Sequence, residues 1–315
     1  MMTTRDRILG ALWGAVVGDA LGVPVEFTKR EERRGDPVVS MRGGGTWRQP
    51  PGTWSDDSSL LLCSAESLMC GFDLADMGRR FVDWHHAERW TPWGQVFDIG
   101  MTTRGALLSI ARGTKAELAG GTEEFTNGNG SLMRILPVAL HGVSLPVSVF
   151  LERVHRASAI THRHPRSQMA CGLYCLFARE LVLGNPFQSA WIAAKAEFRR
   201  QYATAAGAGE TKAFEKLLNA DLAQVPETEI ESGGYVMHTL EASLWCLFTT
   251  SSYSEAVLRA VNLGGDTDTT GCVTGGLAGL IHGAPAIPEE WRAVLARKGD
   301  IDCLVHQFVE MFCDA

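Results

Sequence analysis

Two acidic stretches stand near opposite ends of the sequence: Ser55-Asp56-Asp57-Ser58 and Gly264-Gly265-Asp266-Thr267-Asp268-Thr269. Each sets two carboxylates among short hydroxyl side chains, just before an apolar helical run. Hard cations such as Mg²⁺ and Mn²⁺ take clustered oxygen ligands of this kind. Taken alone, each stretch also fits a helix cap with an acidic first turn, since Ser55 or Asp56 can cap the run that follows. Two adjacent carboxylates flanked by two hydroxyls exceed what a cap needs. Gathering four carboxylates without cations is unfavourable, because like charges resist ionisation. Together the stretches predict a binuclear metal site. An EF-hand reading of Asp266-Thr267-Asp268 fails, because the acid at loop position twelve is absent.

A third stretch, Thr126-Asn127-Gly128-Asn129-Gly130-Ser131-Leu132-Met133-Arg134, is a glycine-rich loop running into an apolar segment. Exposed amides there would suit phosphate, though a plain turn before a helix is the alternative. The stretch lacks the third glycine of GxGxxG and the lysine of a P-loop, and no βαβ pattern surrounds it, so Rossmann and Walker readings fail. Histidines gather in Thr161-His162-Arg163-His164-Pro165, with His155 shortly before. Their spacing is not that of a zinc site, and contact with an anionic ligand fits better. The sequence has no GxSxG elbow and no cysteine in a nucleophile's setting.

The elements that must position these residues read as helices. Apolar spacing of helical type covers 4–20, 56–70, 74–86, 101–112, 131–141, 147–160, 166–183, 187–200, 211–218, 237–249, 253–262, 268–282 and 288–296. Pro37-Val38-Val39-Ser40-Met41 is the best candidate for a minor strand. This pattern predicts an all-α fold, a compact bundle of many short helices forming one domain over residues 1–315. Segment 201–233, rich in Ala, Gly and acids, reads as a surface insertion.

Gly10, Gly14, Gly18 and Gly22 recur every four residues, and so do Gly271, Gly275, Gly279 and Gly283. Residues i and i+4 share a helix face. Each glycine costs roughly 1 kcal/mol of helix propensity relative to alanine. Close approach of another backbone would offset that, so the two striped helices are expected to pack together. Otherwise both are ordinary buried helices.

Hydrophobic residues make up 45% of the 315-residue chain and charged residues 21%, within the ordinary globular range. The net charge of -7 argues against a general nucleic-acid or membrane-surface binder. No secretory signal is visible, and no apolar segment reads as reaching the roughly 20 residues of a bilayer span. The eight cysteines fall mostly in apolar helical stretches without a CxxC, and Cys171 and Cys175 lie one turn apart. They read as reduced core thiols of a cytoplasmic protein.

Six blocks in order resemble the ADP-ribosylglycohydrolase family. They are Gly14-Ala15-Val16-Val17-Gly18-Asp19-Ala20-Leu21-Gly22 with Glu26, Ser55-Asp56-Asp57-Ser58, Asn129 to Pro137, Thr161-His162, Gly234-Tyr235-Val236, and Gly264 to Thr269. The resemblance spans nearly the whole chain. It implies a compact all-α hydrolase with two Mg²⁺ or Mn²⁺ ions in a cleft. By the same resemblance, Ser55, Asp56, Asp57, Asp266, Asp268 and Thr269 would be metal ligands, Gly128, Gly130 and Ser131 would contact the diphosphate, and Asn129 and Met133 would also bind substrate. His162 would lie near the phosphate or distal ribose, Tyr235 would stack on adenine, and Glu26 would sit on a mobile flap over the site. Asp57 would act as base, with Glu26 as a second catalytic acidic group. Serine replaces the family's threonine at 55 and 58 and keeps the hydroxyl oxygen. The implied reaction is removal of ADP-ribose from a modified protein side chain, with arginine favoured. An ADP-ribosylserine or O-acetyl-ADP-ribose hydrolase is one alternative. A non-catalytic ADP-ribose-binding or toxin-immunity protein is another.

Overall fold

The computed structural model describes residues 2–203 and 209–313. Among them the protein is all helical, with fifteen α-helices and no strand. The predicted helices fall within a few residues of the observed ones for most of the chain.

Two helices set the frame. Thr4–Gly22 starts at a reciprocal cap: Thr3 Oγ1 accepts from the Asp6 amide (3.1 Å), and Asp6 Oδ2 accepts from the Thr3 amide (3.0 Å). From Gly10 to Gly22 every residue is buried, so no polar face interrupts the helix. The stretch Thr4–Val25 is long and apolar enough to cross a membrane, but 94% of its apolar window is buried inside the protein. Asp19 and four glycines dilute the run and disguise its length.

The partner of this helix is Thr267–His282, and the two glycine stripes face each other in antiparallel order. A Cβ placed on Gly14 would lie 2.3 Å from the Gly275 carbonyl oxygen, and one on Gly275 would lie 2.1 Å from that of Gly14. Gly18 and Gly271 repeat the arrangement, as do Gly10 and Gly279. Only glycine lets two helix backbones meet at this separation. Gly283 departs from the expected stripe: at φ 77° it ends the helix, and its own missing Cβ would meet Met2, although its backbone still abuts Gly10. The antiparallel order carries Asp19 and Gly22 to the start of the second helix, where a Cβ on Gly22 would lie 2.4 Å from Asp268 Cα.

A third helix, Asp56–Leu68, begins beside this crossing. The loop ahead of it is pinned to the C-terminal part of the chain. Trp54 Nε1 donates to Ala296 O (3.0 Å), and the Ala296 amide donates to Gly52 O (3.0 Å). The helix that follows, Lys298–Cys313, was not anticipated, although Ile301, Leu304, Val305, Phe308 and Val309 keep helical spacing and are buried. The short helix Arg30–Gly35 was also missed.

Other expectations change. Residues 37–41 form no strand, because the Asn262 side chain takes the place of a pairing partner. Its Oδ1 accepts from the Val38 amide (2.8 Å), and its Nδ2 donates to Val38 O (2.9 Å). Residues 131–134 are turns, and the helix starts at Leu136 because Pro137 in its first turn has no amide to offer. Segment 201–233 is more than an insertion: Phe214, Leu217, Leu218 and Leu222 are buried, and the Phe214 ring lies 4.9 Å from Phe198. Residues 204–208 lie outside the described residues.

One buried polar pair makes stability depend on pH. His155 Nε2 lies 2.6 Å from the Tyr202 hydroxyl, which Gly172 accommodates by lacking a Cβ. Burial pushes the imidazole down from 6.5 to about 4. The unfolded chain therefore binds more protons than the fold between those values. The stability held by the neutral ring is complete above pH 6.5 and is lost as pH falls toward 4, by on the order of 3 kcal/mol. Urea midpoints at pH 7 and pH 4.5 should fall further apart for the native chain than for His155→Gln. Equal differences would remove His155 from the account.

Candidate active site

Three helix ends meet at one place: the C-terminal end of Thr4–Gly22 and the N-termini of Asp56–Leu68 and Thr267–His282. Asp19 is the hinge of this assembly. Its carboxylate accepts from the Ser55 amide (3.0 and 3.1 Å) and the Ser58 amide (2.9 Å), and from the Ser58 hydroxyl. Ser58 thus uses its hydroxyl to anchor the loop. Ser55 Oγ accepts from the Asp57 amide (3.3 Å), so it caps the helix as one sequence reading allowed. The free amides of two helix N-termini face the carboxylates and favour their charge.

The acids form two overlapping groups. Carboxylate oxygens of Asp19, Asp57 and Asp268 lie within 4.8 Å of one another, and so do those of Glu26, Asp266 and Asp268, with Asp268 common to both. The two acidic stretches therefore meet. Asp57 Oδ1 accepts from Thr269 Oγ1 (3.2 Å), and Asp266 Oδ2 accepts from Asn129 Nδ2 (2.9 Å). The other oxygens, Asp57 Oδ2 and Asp266 Oδ1, are buried without a hydrogen-bond partner. An unpartnered buried carboxylate oxygen is costly. Burial, and then the neighbouring negative charges, push Asp56, Asp57 and Asp268 well above the usual carboxylate range, Asp98 up to about 6, and Glu26 up to about 9, while burial alone raises Asp19 to about 6. For Asp19, burial is opposed by its hydrogen bonds from Ser58 and Ser55. All-oxygen donors, crowded like charges and two orphaned carboxylate oxygens fit divalent hard cations, which would reverse each of these penalties.

A cleft opens above the acids. Asp56, Asp98, Asp266, Thr269 and Glu26 line its acidic side, and Thr103, Gly128, Asn129, Gly130, Met133 and His162 line the other. The glycine loop is tied across by the Asn129 amide to Gly234 O (3.0 Å) and the Val236 amide to Asn127 O (3.0 Å). Among the described residues no acceptor takes the amides of Gly128, Gly130 or Ser131. The Ser131 side chain is fully buried, bonded to Ser158 Oγ (2.9 Å) and close to Cys171 Sγ (3.4 Å), which leaves its amide as the group it can offer a ligand. Tyr235 sits outside the lining, paired with Gly128, and its hydroxyl accepts from Arg166 Nη1 (3.0 Å).

Glu26 is buried at the cleft mouth. Its carboxylate accepts from Trp47 Nε1, and its carbonyl accepts from the Thr46 hydroxyl (2.6 Å). Gly264 and Gly265 press against protein. At φ 76° and 71°, their absent Cβ atoms would strike Arg30 N and Ser232 O. Asp98 and Asp19 carried no assigned role in the sequence reading. Asp98 is an isolated acid in a loop, and Asp19 lies inside a glycine-striped helix, so neither stands out without the fold.

The family model for ADP-ribosylglycohydrolase matches residues 1–315. ADP-ribosylarginine hydrolase Tri1 of Serratia proteamaculans is 32% identical over 309 residues, covering 97% of this chain and 80% of that protein. ADP-ribosyl-[dinitrogen reductase] glycohydrolase of Rhodospirillum rubrum is 32% identical over 311 residues, covering 94% of this chain and 92% of that protein. A solved structure described as an ADP-ribosylglycohydrolase-related protein complex superposes with a TM-score of 0.79 at 34% identity, covering 99% of each chain. Acidic helix ends joined by a glycine-sealed helix crossing, a glycine-rich loop opposite them and a match along the full sequence lead to one conclusion: this chain belongs to the ADP-ribosylglycohydrolase family.

Proposed function

We propose that this protein hydrolyses the N-glycosidic bond between ADP-ribose and a protein arginine side chain, in the cytoplasm, through one domain spanning residues 1–315. The observation that carries the reading is the convergence of five carboxylates from three chain segments beneath a loop of unengaged amides. The arginine acceptor follows from the names of the relatives. Free buried thiols at Cys63, Cys171, Cys175, Cys246 and Cys272 suit a reducing compartment.

Two Mg²⁺ or Mn²⁺ ions would be held by Asp56, Asp57, Asp266, Asp268, Thr269 and the Ser55 hydroxyl, with Asp19 keeping the loop in place. Such ions neutralise crowded carboxylates and acidify water. Asp57 Oδ1 is fixed by Thr269, which leaves Oδ2 to take a proton from the attacking water. The C1″–N bond breaks as C1″–O forms, and the leaving guanidine nitrogen takes up the proton that Asp57 received from the water. The acids around the anomeric carbon stabilise its oxocarbenium character. Glu26 closes the mouth beside the leaving group. The amides of Gly128, Gly130 and Ser131 receive the diphosphate, with Asn129 and Met133 supporting the loop, His162 beside it and Tyr235 reaching the adenine.

The test is incubation with arginine-ADP-ribosylated protein, with Mg²⁺, with Mn²⁺ and with chelator. Free ADP-ribose should appear with either ion and fall to background with chelator. Undiminished release under chelation would remove the ions. Release from serine-linked but not arginine-linked protein would move the acceptor.

A further inference from the structure

His162 closes the cleft through one edge of its ring. A Cβ on Gly128 would lie 3.3 Å from Nε2, and one on Gly130 would lie 2.9 Å from Cε1, so two glycines let the ring rest against the loop. The other nitrogen, Nδ1, lies 2.9 Å from Thr161 Oγ1. That oxygen accepts from Arg134 Nη2 at 2.8 Å. Thr161 and Arg134 are both fully buried. The guanidinium lies over the Phe81 ring at 4.6 Å, donates to Ala157 O (3.2 Å), and meets no carboxylate among the described residues.

A direction for these bonds comes from requiring that the buried Thr161 hydroxyl proton find an acceptor, since the hydroxyl's second lone pair would otherwise let it accept from both neighbours. A guanidinium can only donate, so the Thr161 hydroxyl accepts from it and keeps one proton to give. The other partner of that hydroxyl is His162 Nδ1. Once Nδ1 accepts, the single proton of a neutral imidazole must sit on Nε2. Burial, followed by the Arg134 charge, holds the ring neutral by pushing it down to about 3.

We propose that Arg134 and Thr161 are positioning residues that lock His162 in its Nε2–H tautomer, making it a fixed donor to an anionic oxygen above the Gly128–Gly130 loop. The opposite tautomer would aim a lone pair at that oxygen and repel it. Taking the anion to be the diphosphate of ADP-ribose rests on the function proposed above. The proton placement does not.

Long-range ¹H–¹⁵N spectra of the full chain, with His162 assigned by its loss in His162→Gln, should show Nε2 protonated and Nδ1 bare. Thr161→Val should bring in the second tautomer and raise the calorimetric Kd for ADP-ribose about tenfold, the scale of one hydrogen bond to a charged group. Thr161→Ser should restore both. A wild-type ring protonated on Nδ1 would overturn the proposal even if arginine hydrolysis is found. An Nε2–H ring with weakened ADP-ribose binding in Thr161→Val would sustain it even if arginine is not the acceptor. Unchanged spectra and affinity in Thr161→Val would defeat it.

Discussion

Asp57→Asn is expected to lower ADP-ribose release from modified arginine about a thousandfold, the middle of the range for loss of a general base. The substitution is nearly isosteric. Asparagine can still accept from Thr269 through one oxygen, so the first turn of Asp56–Leu68 keeps its geometry. The atom that changes is Oδ2, buried and without a hydrogen-bond partner. An amide nitrogen there cannot take a proton and adds no negative charge. The variant has a second signature. Removing one of several crowded charges relieves repulsion in the metal-free protein, so thermal unfolding without metal should occur at the same temperature or higher. The added stability conferred by Mn²⁺ should shrink. Full turnover in Asp57→Asn would take Asp57 out of the chemistry. Lost turnover with a collapsed melting temperature would instead mark it as structural.

What could be read from the sequence, and what could not, divides along a physical line. Asp56, Asp57, Asp266 and Asp268 stand out because acids and hydroxyls crowd within a few residues, and the structure brings them together. The glycine stripes are legible because a four-residue period of a poor helix former needs a reason. Asp19 has no such local mark: its importance lies in the Ser55 and Ser58 amides, which belong to another segment. Asp98 is silent for the same reason. Ser131 looks like a ligand residue in the glycine loop, but side-chain direction is set by the tertiary fold, which turns it toward Ser158. Residues 37–41 have strand-forming composition, yet their partner is one asparagine side chain rather than a strand. The helix Lys298–Cys313 is a different case, because its apolar residues keep helical spacing in the sequence itself.

Gly275→Ala should destabilise the protein by about 3 kcal/mol, at the upper end of what overpacking costs in well-packed interiors. In most helices the same change stabilises, because alanine loses less backbone entropy on folding. Gly105, exposed in the helix Met101–Ala111 with nothing near its missing Cβ, is the internal control: Gly105→Ala should gain about 0.5–1 kcal/mol. The sign reverses at Gly275 because the new methyl would fall 2.1 Å from the Gly14 carbonyl oxygen, and backbone cannot step aside as a side chain can. Relief requires the two helices to part along their length, and the crossing also carries Asp19 and Asp268 to the site. Gly275→Ala should therefore weaken Mn²⁺ binding, although no atom of residue 275 lies among the acids. Because Gly14 and Gly275 fill one gap, Gly14→Ala combined with Gly275→Ala should cost clearly less than the sum of the two single changes. Guanidinium midpoints for the four chains decide the matter. A Gly275→Ala protein as stable as the native one, or a strictly additive pair, would mean that the helices are not held apart by backbone contact at this crossing.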